Sequence, residues 1–255
     1  MAHTPLTGHA ALVTGGARRI GRGIALALAA AGADVGITFL TSGSEAAETV
    51  RAVEALGRRA LAVECDVRSE ASVRAAVAAT IARFGRLDLL VNNAGVFASA
   101  PLDALSLDQW DRVFETNARG PFLVASEALP HLRAARGRIV NIGSLGGLRA
   151  WAGHADYCAS KAALHSLTRS MAKAFAPEVS VNCVAPGWIE IGGMERGSIA
   201  AGNDFEGAAA RFAAKSPMQR NGTVDDVAEA VLFFAAGPAF ITGQILAVDG
   251  GLGLV

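Results

Sequence analysis

One recurring alternation restricts the folds open to this chain more than any other feature. Apolar, β-rich runs are followed by helical patterns from one end to the other. A parallel strand is reached by a crossover connection, which covers both faces of the sheet, so this alternation marks a parallel sheet between two helical layers. The strand candidates are residues 10–14, 34–39, 60–67, 87–92, 138–142, 179–184 and 244–248, which predicts an α/β fold with a doubly wound, seven-stranded parallel sheet. Helix starts are marked by capping chemistry at Ser42 with Glu45, Ser106 with Gln109 and Thr223 with Asp226, each a hydroxyl followed three residues later by a carboxylate or amide. The 255 residues are expected to form one domain, 1–255, because the length demands no second core and no internal period recurs. Residues 188–217 carry five glycines and no clear element, and a loop that long inside a domain reads as a substrate lid.

The whole-chain properties exclude several classes of function. Lysine plus arginine and aspartate plus glutamate both number 23, which leaves no basic footprint for nucleic acid. The absence of net charge also suits a chain that hides surface in an oligomer. The alanine-rich stretch 24–33 is far too short to span a bilayer, and no charged and then apolar leader opens the sequence, so a cytoplasmic protein without membrane contact is expected. Cys65, Cys158 and Cys183 are odd in number and lack C-x-x-C spacing, which points to small core residues and to no metal site.

Three motifs carry chemistry. The first strand runs directly into Gly15-Gly16-Ala17-Arg18-Arg19-Ile20-Gly21 and then a helix. Glycines let the backbone approach a pyrophosphate, and the helix N-terminus offers free N–H groups and a positive dipole end, so this is a Rossmann-like dinucleotide turn. Taken alone it could also be a tight strand-to-helix turn. Asn92-Asn93-Ala94-Gly95 closes the fourth strand, at the sheet edge where ligands bind in such folds, although an Asn-Gly turn reads equally well there. The decisive group is Ser144, Tyr157 and Lys161. Tyr157 is the only tyrosine, lies four residues before Lys161 on a predicted helix and follows Ser144 by thirteen residues. A phenol titrates too high for ready proton exchange at neutral pH, and a neighbouring ammonium is expected to lower it.

With these motifs in place the chain resembles the short-chain dehydrogenase/reductases of roughly 250 residues over essentially its whole length. The likeness extends to Asp66 after the third strand, Asn117 in Glu-Thr-Asn-Ala-Arg-Gly, Pro186-Gly187 after the sixth strand and the closing Val248-Asp249-Gly250-Gly251. The resemblance implies a catalytic set of Ser144, Tyr157, Lys161 and Asn117. Ser144 would bind the substrate oxygen, Lys161 would hold the nicotinamide ribose, and Asn117 would hold a water in a proton relay. Asp66, with Val67 beside it, would contact the adenine amino group, while Asn93, Ala94 and Gly95 would line the adenosine side. Pro186 and Gly187 would border the nicotinamide, and Ile189 would meet its carboxamide through the backbone. Simpler readings stand beside these, with Asp66 capping a turn and Asn117 bending a helix.

Two departures from the family pattern bear on the cofactor and substrate. Arg19 stands where the middle glycine of the turn is usual, and Ile191 where a threonine often follows Pro-Gly. The end of the second strand, Phe39-Leu40-Thr41-Ser42, has no carboxylate to grip the 2′-hydroxyl of NAD. Arg18, Arg19, Thr41 and Ser42 can instead meet a 2′-phosphate, with Gly15, Ile20 and Gly21 completing the turn, which favours NADP(H) over NAD(H). The ending Gly-Gln-Ile-Leu-Ala-Val-Asp-Gly-Gly resembles the 3-oxoacyl-carrier-protein reductase branch, making a ketone or 3-oxoacyl thioester the first choice of substrate. A pteridine-type reductase, a sugar/polyol dehydrogenase and a non-catalytic NADP-binding sensor are the competing readings. By the same resemblance a homotetramer or homodimer is expected.

Overall fold

The computed structural model describes residues 4–191 and 205–255. Its elements run β1 (Ala10–Val13), α1 (Arg19–Ala30), β2 (Asp34–Phe39), α2 (Gly43–Ala55), β3 (Ala60–Glu64), α3 (Glu70–Phe84) and β4 (Leu89–Asn92). There follow α4 (Leu107–Phe114), a π-helical segment (Glu115–Arg119), α5 (Gly120–Ala135), β5 (Arg138–Ile142), α6 (Ala155–Phe175) and β6 (Ser180–Pro186). The chain ends with β7 (Ile189–Glu190), α7 (Phe205–Lys215), β8 (Gly222–Thr223), α8 (Val224–Ala236) and β9 (Ile245–Val248).

Strand side chains alternate between two buried faces, and this alternation is what makes the sheet doubly wound. Leu12, Leu90, Ile139 and Val181 pack on one side against α3, α5 and α6. Ala11, Val13, Leu89, Val91 and Val140 pack on the other against α1 and α8. Complete burial of a leucine or isoleucine of this kind contributes roughly 1.5–3 kcal/mol, so the two layers hold the central strands rigidly. All seven strands of the main sheet are parallel, in the order β3-β2-β1-β4-β5-β6-β9. The order reverses between β1 and β4, which opens a crevice at their C-terminal ends.

The predicted strands are all present, 34–39 and 138–142 with the expected ends and the other five with shifted ones, and the short parallel pair β7–β8 was not foreseen. Residues 65–67 leave the sheet after Glu64, because Asp66 accepts the Arg68 backbone N–H in a tight turn. The fourth strand begins at Leu89 rather than at residue 87, where buried Asp88 is occupied by Arg86 and the Ala10 N–H. Of the three predicted caps, only Thr223–Asp226 forms a complete reciprocal box. Ser106 accepts from the Gln109 N–H, but the Gln109 amide turns to Asp156. The Ser42–Glu45 box does not form, since Glu45 accepts from Ser44 instead and leaves the Ser42 side chain without a capping role. The central part of the expected lid, 192–204, lies outside the described residues.

Candidate active site

The glycine turn is held by close backbone approach. Gly15 has a positive φ of 63°, and a Cβ on Gly21 would lie 2.3 Å from the Gly15 carbonyl oxygen and 2.5 Å from Asn93 Nδ2. Only glycine fits that contact. Asn93 is a clamp: Nδ2 donates to the carbonyls of Thr14 and Gly15 at 2.9 and 3.0 Å. The Asn93 and Ala94 N–H groups both donate to Thr14 Oγ1 at 3.0 Å, so the turn after β1 is locked to the end of β4. Arg19 keeps the left-handed conformation that glycine would supply, with a φ of 54°. A non-glycine residue there costs on the order of 1–2 kcal/mol, which makes the arginine a costly choice that its side chain must justify.

A groove of about 560 Å³ follows this turn along the crevice. It brings together Gly15, Arg18, Arg19, Ile20, Gly21, Thr41, Ser42, Asp66, Val67, Asn93, Ala94 and Gly95, every one of them expected from the sequence on the dinucleotide side. Arg68, Arg112, Thr116 and Ile191 also line it and were not singled out as cofactor residues. The groove is basic at its margins. Asp66 is gripped by the Arg68 guanidinium at 2.7 Å as well as by its backbone, and this pairing holds the Asp66 carboxyl below its usual range. The turn-capping reading of Asp66 therefore holds, and its groove position holds with it. The dimensions, the glycine cradle and the basic rim fit a dinucleotide.

The catalytic candidates converge at the C-terminal ends of β4 and β5. Ser144 follows β5, is buried, and its Oγ accepts from the Gly146 N–H at 3.0 Å. Tyr157 and Lys161 lie one turn apart on α6, with Lys161 Nζ 5.9 Å from the phenol ring centroid and donating to the Ile142 carbonyl at 2.8 Å. Burial lowers the Lys161 ammonium to about 8. The phenol departs from expectation: burial raises its pKa, and the neighbouring Ser144 hydroxyl offsets this only in part.

Asn117 sits inside the π-helical segment that joins α4 to α5. Its carboxamide pairs with Val96 in both directions, accepting from N–H at 2.8 Å and donating to the carbonyl at 2.9 Å. Nδ2 also donates to Ser160 Oγ at 3.1 Å, and that hydroxyl donates to the Tyr157 carbonyl at 2.8 Å. Both amide protons are thus spent within the protein. Ser160, wholly buried, is the link that sequence reading missed, although its place three residues after Tyr157 on the same helix could have marked it. Deeper in the sheet, Asn92 donates to Asn141 and Asn141 to Thr168, each at 2.9 Å, which ties β4, β5 and α6 together beneath the site.

Comparison with known proteins decides the family. The family model described as enoyl-(acyl carrier protein) reductase matches residues 15–253. The chain is 36% identical to the 3-oxoacyl-[acyl-carrier-protein] reductase of Synechocystis sp., covering 98% of both proteins. The chain belongs to the short-chain dehydrogenase/reductase family. A further relative, the cis-4-hydroxycyclohexanecarboxylate dehydrogenase of Sinomonas cyclohexanicum, is 40% identical over 94% of this chain and 95% of the relative. The short-chain dehydrogenase/reductase structure from Serratia marcescens superposes with a TM-score of 0.89 at 36% identity, covering 98% of this chain and 99% of that one. Membership makes the protein an oxidoreductase of CH–OH and C=O groups that uses a nicotinamide cofactor.

The remaining family positions fall where the fold needs them. Pro186 ends β6, and Gly187 lies so close to Asp249 that a Cβ there would be 2.7 Å from the aspartate Cβ. Asp249 in turn accepts from the Gly251 and Gly253 N–H groups, which explains the closing Asp-Gly-Gly as a turn that packs on the end of β6. Ile189 is buried in β7 opposite Gly222. Among the described residues no cluster of side chains could hold a metal, and no helix is long and apolar enough to cross a membrane. All three cysteines are buried and unpaired.

Proposed function

We propose that the protein is an NADP(H)-dependent reductase of ketones, with Tyr157 as the proton donor. The observation that carries this reading is the convergence of Ser144 after β5 with Tyr157 and buried Lys161, one turn apart on α6, beside a groove that fits a dinucleotide. Bound in that groove, the nicotinamide supplies the hydride that reduces the carbonyl carbon. Ser144 holds the substrate oxygen, and Tyr157 protonates it as charge develops there. Lys161 binds the ribose and supplies positive charge behind the phenol. Asn117 acts as a positioning residue: by holding Val96 and Ser160 it fixes the loop after β4 against the helix that carries Tyr157.

Preference for NADP(H) is supported by Arg18, Arg19, Thr41 and Ser42 at one end of the groove, with the Ser42 hydroxyl free of capping duty. A 2′-phosphate there receives charge-assisted hydrogen bonds, and none of Leu40, Thr41 and Ser42 directly after β2 is a carboxylate to grip a 2′-hydroxyl instead. The Tyr157→Phe variant is expected to lose about 10²–10⁴-fold in ketone reduction, the scale of general acid catalysis. Turnover at the wild-type rate would overturn the mechanism. Tighter saturation with NADH than with NADPH would overturn the role of the two arginines. Assembly into a homodimer or homotetramer is part of the proposal, supported by β9 at the sheet edge with Leu246 exposed and Phe240 fully exposed nearby. Sedimentation as a monomer at micromolar concentration would exclude it.

A further inference from the structure

Around the Tyr157 phenol the protein builds an aromatic corner that proton transfer does not require. Phe97 stands edge-on to the Tyr157 ring, with centroids 4.8 Å apart and planes at 82°. Trp151 lies on another side, nearly parallel to the same ring, at 6.3 Å and 17°. Each wall is braced from behind. His154 stacks on Phe97 at 4.6 Å, and its Nδ1 is fixed 2.8 Å from the Ala98 carbonyl. Trp151 rests against Gly146, where a Cβ would lie 3.2 Å from Cζ3, so the absence of a side chain at that position sets the indole's approach to the Ser144 loop. Phe97 is nevertheless 45% exposed. Large apolar side chains held rigid and left uncovered beside a proton donor mark a surface completed by a ligand.

We infer that the substrate carries its carbonyl on or directly beside a ring, and that Phe97 and Trp151 select it. This rests on the ketone-reductase reading above. One wall stands edge-on to the Tyr157 ring and the other nearly parallel to it, so a flat ring beside the phenol presents its face to one and its edge to the other, and it brings little rotamer entropy to lose. A linear acyl chain matches neither geometry and must be ordered bond by bond. Trp151 also borders a cavity of about 470 Å³ with Leu145, Phe212 and Leu252 and with Arg149 and Lys215, which leaves room for a second ring or a polar substituent. The aromatic walls bring apolar contact directly beside the reacting oxygen.

The test uses the full-length protein with NADPH and compares 1-tetralone, cyclohexanone, 2-octanone and the N-acetylcysteamine thioester of acetoacetate. The expected result is a kcat/KM for 1-tetralone at least about ten-fold above both linear compounds, the scale of one or two aromatic contacts. Phe97→Ala is expected to cut the 1-tetralone value about ten-fold while leaving 2-octanone within about two-fold, and Phe97→Tyr to restore it. A preference for the linear thioester, or an equal loss on ring and chain substrates in Phe97→Ala, overturns the inference and leaves the reductase reading intact. Absence of turnover with every ketone sinks both. Binding supplies a second readout: 1-tetralone should quench tryptophan fluorescence of the Tyr157→Phe protein with NADP⁺ present, and Trp151→Leu should remove most of that quench. Persistence of the quench in Trp151→Leu removes the indole from the site.

Discussion

His165 should make this protein sensitive to mild acid, and a single substitution should remove that sensitivity. The imidazole is buried on α6, one turn beyond Lys161, with neither ring nitrogen in a well-formed hydrogen bond. Burial, together with the cations Lys161 and Arg169, lowers its pKa from 6.5 to about 4, against a weaker opposing contact from the Gly147 backbone. Above pH 6.5 the ring is neutral in both folded and unfolded chains and adds no slope. Below that value the unfolded chain takes up a proton that the folded protein refuses, so stability falls with pH until the folded value near 4 is reached. Linkage gives a loss of roughly 2 kcal/mol by pH 5 and roughly 3 kcal/mol in full. The site is involved directly: a Cβ at Gly143 would lie 2.3 Å from Nε2, and one at Gly147 2.6 Å from Cε1, so the ring supports both ends of the Ser144 loop. The assay is urea unfolding at pH 7 and pH 5, at one protein concentration, for wild type and His165→Leu. The quantity that matters is the difference between the two pH values, which cancels any packing change in the variant; it should shrink by about 2 kcal/mol. An equal fall in both proteins would refute the reasoning.

Four further outcomes follow from the geometry. Gly21→Ala drives a Cβ into the Gly15 carbonyl, and should lower stability by more than about 2 kcal/mol in denaturant titration and weaken NADPH binding in the same protein. Arg19→Gly should act in opposite directions, raising stability by about 0.5–1 kcal/mol through relief of the left-handed backbone while lowering the NADPH-over-NADH preference about ten-fold or more, read by thermal shift and by initial rates. Because the folded Lys161 ammonium loses its proton near 8, kcat/KM for ketone reduction should decline above that pH, and Lys161→Arg should move the decline upward in whatever activity it retains. Thr223→Ala breaks the one complete capping box and should cost about 1 kcal/mol in urea unfolding without altering KM for NADPH.

The architecture was legible because it rests on periodicity. Alternating faces at Leu12 and Val13, or at Ile139 and Val140, are written directly in the order of residues, and so the seven strands and their parallel arrangement could be read. Strand ends were less legible, since Asp66 and Asp88 leave or delay the ladder through side-chain bonds that no local pattern announces. The same limit explains Ser42, where a serine three residues before a glutamate carried the capping signature while Ser44 took the carboxylate. The groove residues were found because glycines and strand ends leave strong signals. Arg68 and Arg112 were not named as groove residues, because what brings them there is the turn after β3 and the packing of α4, not a motif. The aromatic corner carries no motif, since Phe97 and Trp151 stand far apart in sequence; their meeting at Tyr157 is a fact of the fold.

The most informative disagreement concerns the phenol itself. In water a tyrosine loses its proton slightly before a lysine, at about 10 against about 10.4. Burial in this protein reverses the order, raising Tyr157 and lowering Lys161 to about 8, because desolvation penalises whichever form is charged: the phenolate in one case, the ammonium in the other. Between neutral pH and the region where the lysine titrates, the proton therefore stays on the phenol. A phenol that keeps its proton is prepared to donate to a developing alkoxide, whereas alcohol oxidation asks it to surrender that proton first. The same burial that holds Ser144 and Lys161 in place thus biases the site toward reduction, the direction of the proposed reaction.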